Sequence, residues 1–197
     1  SPARLTSRFT ITYTGNIYGG KQSPARFLTS VQSLISEGVI SPDDVEVRFY
    51  GPRLAWLEKE INKYGLSDVV RQYGTVPPQI ASEKQRESQL LLLLDWDDPV
   101  EKGWYPLKIF EYLGAGRPIL AAGGVAGNTV DTLLAETRGG VHAVTPDGIK
   151  SALRDFYQEY KMKGEIGYHG LRGEIDKYTH RNMTGAFVAV LDGLIQR

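Results

Sequence analysis

The sequence predicts an α/β fold, a parallel β-sheet with helices on both faces. Three observations carry this. Strand-like and helix-like segments alternate over most of the 197 residues, which is the pattern of repeated βαβ units. Two strands, Gln89–Asp95 and Pro118–Ala122, are almost continuously apolar, as strands covered on both faces are. Five of the strands also run into a loop containing glycine: Gly15–Ser23, Gly51–Arg53, Gly74–Pro77, Trp96–Tyr105 and Gly123–Asn128. In a parallel sheet these five loops share the carboxyl edge, where ligands bind.

The elements follow in order. Phe9–Thr14 is β-rich. Pro24–Glu37 reads as a helix, with Ser23 as N-cap and Gly38 as stop. Val45–Tyr50 is a strand closed by Gly51-Pro52. Arg53–Tyr64 carries Leu54, Leu57 and Ile61 at helical spacing, with Gly65 after it. Val69–Tyr73 is a short strand and Pro77–Glu87 a helix opening on two prolines. After the two apolar strands come a short helix at Thr129–Glu136, a small strand at Val141–Val144, and closing helices at Asp147–Lys161 and Thr179–Gln196. Gly164–Gly173 reads as a loop.

Composition narrows the function. Hydrophobic residues make up 41% and charged residues 23%, so the chain has what it needs for a buried core. Lys plus Arg and Asp plus Glu both number 23. That balance gives no electrostatic footprint for nucleic acid or an anionic membrane, and any anion site has to be local. The absence of cysteine excludes disulfides, thiolate ligands and a cysteine nucleophile, and fits a cytoplasmic location. The longest aliphatic run, Leu90–Leu94, is far too short to span a bilayer. The chain opens on Ser1 rather than methionine, which reads as a piece of a longer protein.

The most informative stretch runs from Gly103 to Leu120. A Leu-rich strand passes through a Trp/Asp/Pro/Gly loop into a short helix at Pro106. That helix carries one acid, Glu111, about a turn inside its start, and ends at Gly114 and Gly116. A helix start attracts phosphate because its first N–H groups are unpaired and its dipole is positive. A nearby carboxylate accepts hydrogen bonds from sugar hydroxyls. Together they suggest a nucleotide or a nucleotide-sugar. Lys108 and Glu111, three apart, read either as a surface ion pair or as site residues. Gly15-Asn16-Ile-Tyr-Gly-Gly-Lys21 can bring backbone N–H groups and one cation to an anion, but it reads equally well as a plain β–α turn.

Other groups point less clearly. Trp104 and Tyr105 can line a sugar or base pocket, or cap the core. Adjacent Asp97 and Asp98 read as solvated acids rather than a catalytic or metal-binding pair. His142, His169 and His180 show no ligand spacing, and His142, in an apolar strand, reads as structural. No nucleophile elbow is present.

The ordered set of Tyr-Thr-Gly15-Asn, Val-Arg-Phe-Tyr-Gly51-Pro, Val-Arg-Gln-Tyr-Gly74-Thr-Val-Pro, the Leu-rich strand and Pro-x-Lys-x-x-Glu-Tyr-Leu-Gly-Ala-Gly-Arg-Pro resembles the C-terminal, donor-binding half of the retaining group 1 glycosyltransferases of GT-B fold. The resemblance runs from Phe9 to the last helix. It implies a single Rossmann-like domain whose N-terminal partner domain holds the acceptor site. It also implies a nucleoside diphosphate sugar as donor, with no tightly bound cofactor and no metal. Glu111 would hold the ribose hydroxyls. Gly103, Trp104, Tyr105, Pro106 and Leu107 would meet the donor phosphates and sugar. Lys21 and Lys108 would stabilise the leaving diphosphate, with Gly15 and Asn16 beside it, and Gly74 to Val76 would receive the base. The form of the last motif is similar to a branch associated with surface polysaccharide assembly. Any membrane contact, at the inner face, would run through the N-terminal half. Such a half alone is expected to bind nucleotide and transfer no sugar.

One departure stands out. The family pattern has a first acid tied to the donor sugar, and eight positions before Glu111 stands Gly103. Glu101 is near but out of register. A non-catalytic Rossmann-like interaction module is therefore a second expectation, and a sugar-nucleotide epimerase of related fold a third.

Overall fold

The computed structural model describes residues 4–98, 100 and 103–195; Glu101 lies outside them. Six strands form one sheet: β1 (Phe9–Thr14), β2 (Val45–Tyr50), β3 (Val70–Gly74), β4 (Leu90–Asp95), β5 (Ile119–Gly123) and β6 (Gly140–Ala143). Their spatial order is β3-β2-β1-β4-β5-β6, and every pair is parallel. The strand order reverses between β1 and β4, so the crevice for a ligand is expected beyond their carboxyl ends.

The helices are α1 (Ala25–Ser36), α2 (Ala55–Lys63), α3 (Pro78–Arg86), α4 (Lys108–Ala115), α5 (Thr129–Thr137), α6 (Pro146–Lys163), α7 (Arg172–Asp176) and α8 (His180–Ile195). Strand period divides the core. Leu90, Leu92 and Leu94 pack with Phe9, Ile11 and Tyr13 against Phe27 and Leu28 of α1, Leu57 and Ile61 of α2, and Ile149 and Leu153 of α6. Leu91 and Leu93 face the other way, onto Ile109, Tyr112 and Leu113 of α4 and Val130, Leu133 and Leu134 of α5. A strand with helices on both sides has no solvent face, hence the continuous leucine run. Each fully buried leucine contributes ~1.5–3 kcal/mol relative to an exposed one.

β1 is apolar on one face only. Thr10, Thr12 and Thr14 are buried on the other, where α3 and the turn that follows it supply polar partners. Ser88 meets the Thr12 hydroxyl at 2.6 Å and Gln85 donates to that of Thr14 at 2.9 Å. These pairs offset the cost of burying hydroxyls.

Where predicted boundaries shift, local hydrogen bonds explain it. α2 begins at Ala55 because the Gln72 side chain clamps extended Leu54, accepting from its N–H at 2.9 Å and donating to its carbonyl at 3.2 Å. α1 begins at Ala25, although the Ser23 hydroxyl does accept the Ala25 N–H. α6 is longer than predicted, started by Pro146 and the Thr145 cap and stopped by left-handed Gly164. α7 begins inside the predicted loop. At five residues it is too short to show a period, and Ile175 packs it onto the α4–α5 core.

Candidate functional site

The carboxyl ends of β1, β2 and β3 are laced together. Gly15 N–H donates to Tyr50 O at 2.7 Å, and Gly51 N–H to Gly74 O at 3.1 Å. Gly15 has φ +102° and Gly74 φ +84°, which glycine adopts without the strain an L side chain incurs. A Cβ at Gly51 would stand 2.2 Å from the Gly15 carbonyl oxygen, so only glycine permits this approach.

α4 is tied to the same point. The hydroxyl of fully buried Tyr112 accepts the Thr14 N–H at 2.9 Å. This bond fixes the height of α4 against the end of β1, and with it Lys108 and Glu111. Removing the hydroxyl leaves a buried N–H without a partner. Tyr112→Phe is therefore expected to lower stability by ~1–3 kcal/mol and to weaken ligand binding at the β1 end. Urea unfolding and titration of the variant measure the two effects, and an unchanged unfolding midpoint would contradict the anchoring role.

Around these ends lies a cavity of about 430 Å³. Gly15, Asn16, Val76, Lys108 and Glu111 line it, all of them site residues expected from sequence. Thr14, Tyr50, Gly51, Pro52, Thr75, Pro78 and Ala81 complete the lining. Glu111, in the first turn of α4, is exposed and has no internal hydrogen-bond partner among the described residues. The start of α4 has no side-chain cap. Its first turn is closed by Ile109 N–H to Pro106 O at 2.9 Å, so helical turning does begin at Pro106.

Lys108 does not pair with Glu111. It bends back over β1 and donates to the Tyr13 hydroxyl, with its Nζ 3.8 Å from the centre of the Tyr13 ring and 3.4 Å from Asn16 O. Among the described residues no carboxylate stands within ion-pair distance of it. Burial pushes its pKa down to about 7, only partly opposed by the charge of Glu111. The cavity wall thus holds a cation that no carboxylate of the described residues neutralises. Burial likewise raises the Tyr13 phenol above its ordinary range.

A smaller cavity of about 180 Å³ adjoins this one through Asn16 and Lys108, and Trp104, Pro106 and Leu107 line it with Tyr18, Gln22 and Trp96. The other expected residues fall elsewhere. Lys21 Nζ pairs with Asp98 at 2.6 Å, lies over the Trp96 ring, and lines a separate hollow of about 540 Å³ with Trp56 and Glu60. Tyr105 turns inward against Phe110. Gly74 ends β3 and supports the first cavity without lining it. Gly103 is exposed in the loop, and a side chain there would meet nothing within 4 Å.

The acids of that loop serve structure. Asp97 accepts from Gly124 N–H at 2.9 Å and from Arg26 at 2.8 Å. Buried Asp95 accepts Trp96 N–H at 2.8 Å and Asn128 Nδ2 at 2.7 Å, and His142 Nε2 stands 3.1 Å from it. Burial alone would lower the His142 pKa, but Asp95 raises it overall. Among the described residues no group of three or more His, Cys, Asp or Glu side chains is placed to hold a metal ion, and no helix is long and apolar enough to cross a membrane.

Sequence reasoning found the α4 and β1 walls because glycine, lysine and acid mark them. Tyr50, Pro52, Pro78 and Ala81 carry no such mark, although Gly51-Pro52 was legible as a strand end, and Thr75 lies within the Gly74–Val76 turn expected to receive the base. Tyr13 and Tyr112 carry no such mark either, and only their hydroxyl partners show their place beside the cavity.

No family model and no curated protein sequence matches the chain. Solved structures do match its fold. Anabaena HepE in complex with UDP and glucose superposes with a TM-score of 0.72 at 12% identity, covering 95% of this chain and 49% of that one. The pneumococcal O-GlcNAc transferase GtfA in complex with UDP and GlcNAc gives 0.64 at 11% identity, covering 100% and 38%. Sucrose-phosphate synthase from Thermosynechococcus elongatus gives 0.66 at 13%, covering 98% and 47%. The chain spans half or less of the length of these structures, and it has the Rossmann-like fold of one half of a GT-B glycosyltransferase.

Proposed function

We propose that this chain is the donor-binding half of a retaining glycosyltransferase that takes a nucleoside diphosphate sugar. The observation that carries the reading is the 430 Å³ cavity at the strand-order reversal, where an unneutralised lysine and an exposed, unpartnered carboxylate stand one turn apart on α4. The base would sit toward Thr75, Val76 and Pro78. The ribose hydroxyls would donate to Glu111. The diphosphate would lie against Lys108 and the uncapped start of α4, where preorganised positive charge stabilises the leaving group as the glycosidic bond breaks. Two of the matched structures hold UDP with a sugar, which supports a sugar nucleotide as ligand. Lys21, paired with Asp98 beside Trp96, would reach the phosphates only by exchanging that partner.

Calorimetric titration with UDP, GDP and ADP tests the reading. One of the three is expected to bind with a dissociation constant of roughly micromolar to millimolar. Glu111→Gln is expected to weaken it about tenfold, the scale of a charged hydrogen bond. Silence from all three nucleotides would sink the donor-domain reading, and wild-type affinity in the variant would remove Glu111 from the ribose.

The acceptor site and sugar transfer are assigned to a partner domain. α8 supports this assignment. Met183, Phe187, Val188 and Leu191 expose an apolar stripe along it, the kind of surface a second domain covers. A role in surface polysaccharide assembly and a cytoplasmic location at the inner membrane face belong to the same proposal.

A further inference from the structure

α3 is attached to the fold differently from its neighbours. α1, α2, α4, α5 and α6 each bury two or more apolar side chains. α3 buries one residue, Gln85, which is polar, and it contributes no side chain to either apolar core. Its Ile80 is exposed. Helices are held to a fold mainly by an apolar face, and a segment with few buried apolar contacts opens at low cost.

The polar bonds that hold α3 gather toward one end. Just past its last turn, Ser88 meets the Thr12 hydroxyl at 2.6 Å and its carbonyl accepts Arg117 Nε at 2.8 Å. Glu87 accepts Arg48 Nη1 at 2.9 Å, and its carbonyl accepts the Thr6 N–H at 2.9 Å. Gln85, in the last turn, donates to Thr14 Oγ1 at 2.9 Å. Among the described residues, nothing from Thr75 to Lys84 hydrogen-bonds outside α3 and its C-terminal turn. Pro77 and Pro78 have no N–H to tie them to a neighbour, and Gly74, with φ +84°, stands where the chain leaves β3. The helix is thus pinned at Glu87 and Ser88 and loose at Pro78. The lever between them is about 15 Å long, so a tilt of about 20° moves the Pro78 end by about 5 Å.

The loose end is the one at the nucleotide cavity. Thr75, Val76, Pro78 and Ala81 line that cavity together with Lys108 and Glu111 of α4. α4 is anchored in the core by Ile109, Tyr112 and Leu113. One wall of the cavity is therefore fixed and another is hinged.

We infer that α3 is a hinged lid, which swings on its Glu87–Ser88 end to admit the nucleotide and closes when the base packs on Pro78 and Ala81. The inference rests on the nucleotide reading above and adds a moving part to it. A ligand shifts such an equilibrium only by favouring one state. Here the base supplies the apolar contact that α3 lacks in the empty fold. The Gln85–Thr14 bond is the latch, because water can replace either partner while the lid is open. Thr14 itself lines the cavity, so the latch closes at the site.

The test follows amide hydrogen exchange in the full chain, free and with UDP, GDP or ADP at about 100 times its dissociation constant. In the free protein α3 is expected to exchange about tenfold or more faster than α2 and α4. The nucleotide that binds is expected to slow α3 about 100-fold, the factor for a ligand that binds the closed state alone. Gln85→Ala is expected to speed α3 exchange about fivefold, to raise the nucleotide off-rate by a similar factor, and to leave α1 and α6 unchanged. Exchange of α3 as slow as that of α2 and α4 in the free protein, or a bound nucleotide that leaves α3 unprotected, overturns the lid and leaves the nucleotide site standing. So does a Gln85→Ala variant in which α1 and α6 speed up as much as α3, since the loss is then global. If wild type binds none of the three nucleotides, both readings fall.

Discussion

Gly51→Ala is expected to cost about 3 kcal/mol of stability and to abolish nucleotide binding. The added Cβ would stand 2.2 Å from the Gly15 carbonyl oxygen, and both groups are backbone, so neither side can give way cheaply. The ends of β1 and β2 must part, breaking the Gly15 N–H to Tyr50 O bond and moving Gly15, Asn16 and Tyr50, three residues of the cavity wall. Gly140→Ala is the matched control. Its Cβ would stand 2.0 Å from Ile119 O, at the opposite edge of the sheet. Both variants should melt about 6–12 °C below wild type, given ~2–4 °C per kcal/mol for a chain of this size. Only Gly51→Ala should lose nucleotide affinity at temperatures where both remain folded. If both variants bind as wild type does, the cavity does not depend on the closure of β1 against β2.

Nucleotide affinity is expected to fall as pH rises above 7, by up to tenfold per pH unit. Lys108 has its pKa lowered to about 7 by burial, and the form that attracts a diphosphate is the ammonium. Binding therefore raises that pKa and takes up a proton. Affinity is full while Lys108 is charged, and it declines from about pH 7 up to the pKa of the complex. The terminal phosphate loses its last proton near ~6 and the uracil and guanine bases ionise well above pH 8, so the window from about 7 to 8.5 isolates the lysine. Titration at pH 8.5 in two buffers of different ionisation enthalpy should show uptake approaching one proton. A flat affinity across this window contradicts the assignment.

Lys108→Met should remove the pH dependence and weaken binding about tenfold or more at pH 7, the scale of a charge-assisted hydrogen bond. The free protein should respond in the opposite sense. A lysine whose folded pKa lies below its unfolded value makes stability rise with pH between about 7 and 10.5, because the unfolded state binds the extra proton there. Lys108→Met should thus be more stable than wild type by a margin widest at and below pH 7. A cation held for its ligand at the expense of the empty fold behaves in this way.

The sheet was legible in the sequence because its signals are local. Five consecutive leucines, glycines after five of the six strands and helical spacing in α2 each follow from backbone geometry within a few residues. α7 escaped because five residues hold less than two turns and its stability comes from Ile175 packing on a distant core. Lys108 and Glu111 were legible as candidates, but their relation was not. Spacing allowed an ion pair, whereas the structure turns Lys108 back onto Tyr13, 95 residues away in sequence. Lys21 was placed at the phosphates on its position after β1, and its pairing with Asp98 depends on a loop 77 residues further along.

The sequence by itself determined the fold class, and it singled out the edge of the sheet that carries the candidate site and the acid and lysine of α4 that line its cavity, since these follow from periodicity, from helix-start chemistry and from glycine's freedom at strand ends. Only the tertiary structure decided which strand ends meet, that Lys108 has no carboxylate partner among the described residues, and that Trp96 and Trp104 line a cavity beside it. Those are properties of side chains brought together across the switch between β1 and β4. The free energy of such contacts depends on distance and burial, and no local pattern in a chain encodes either one.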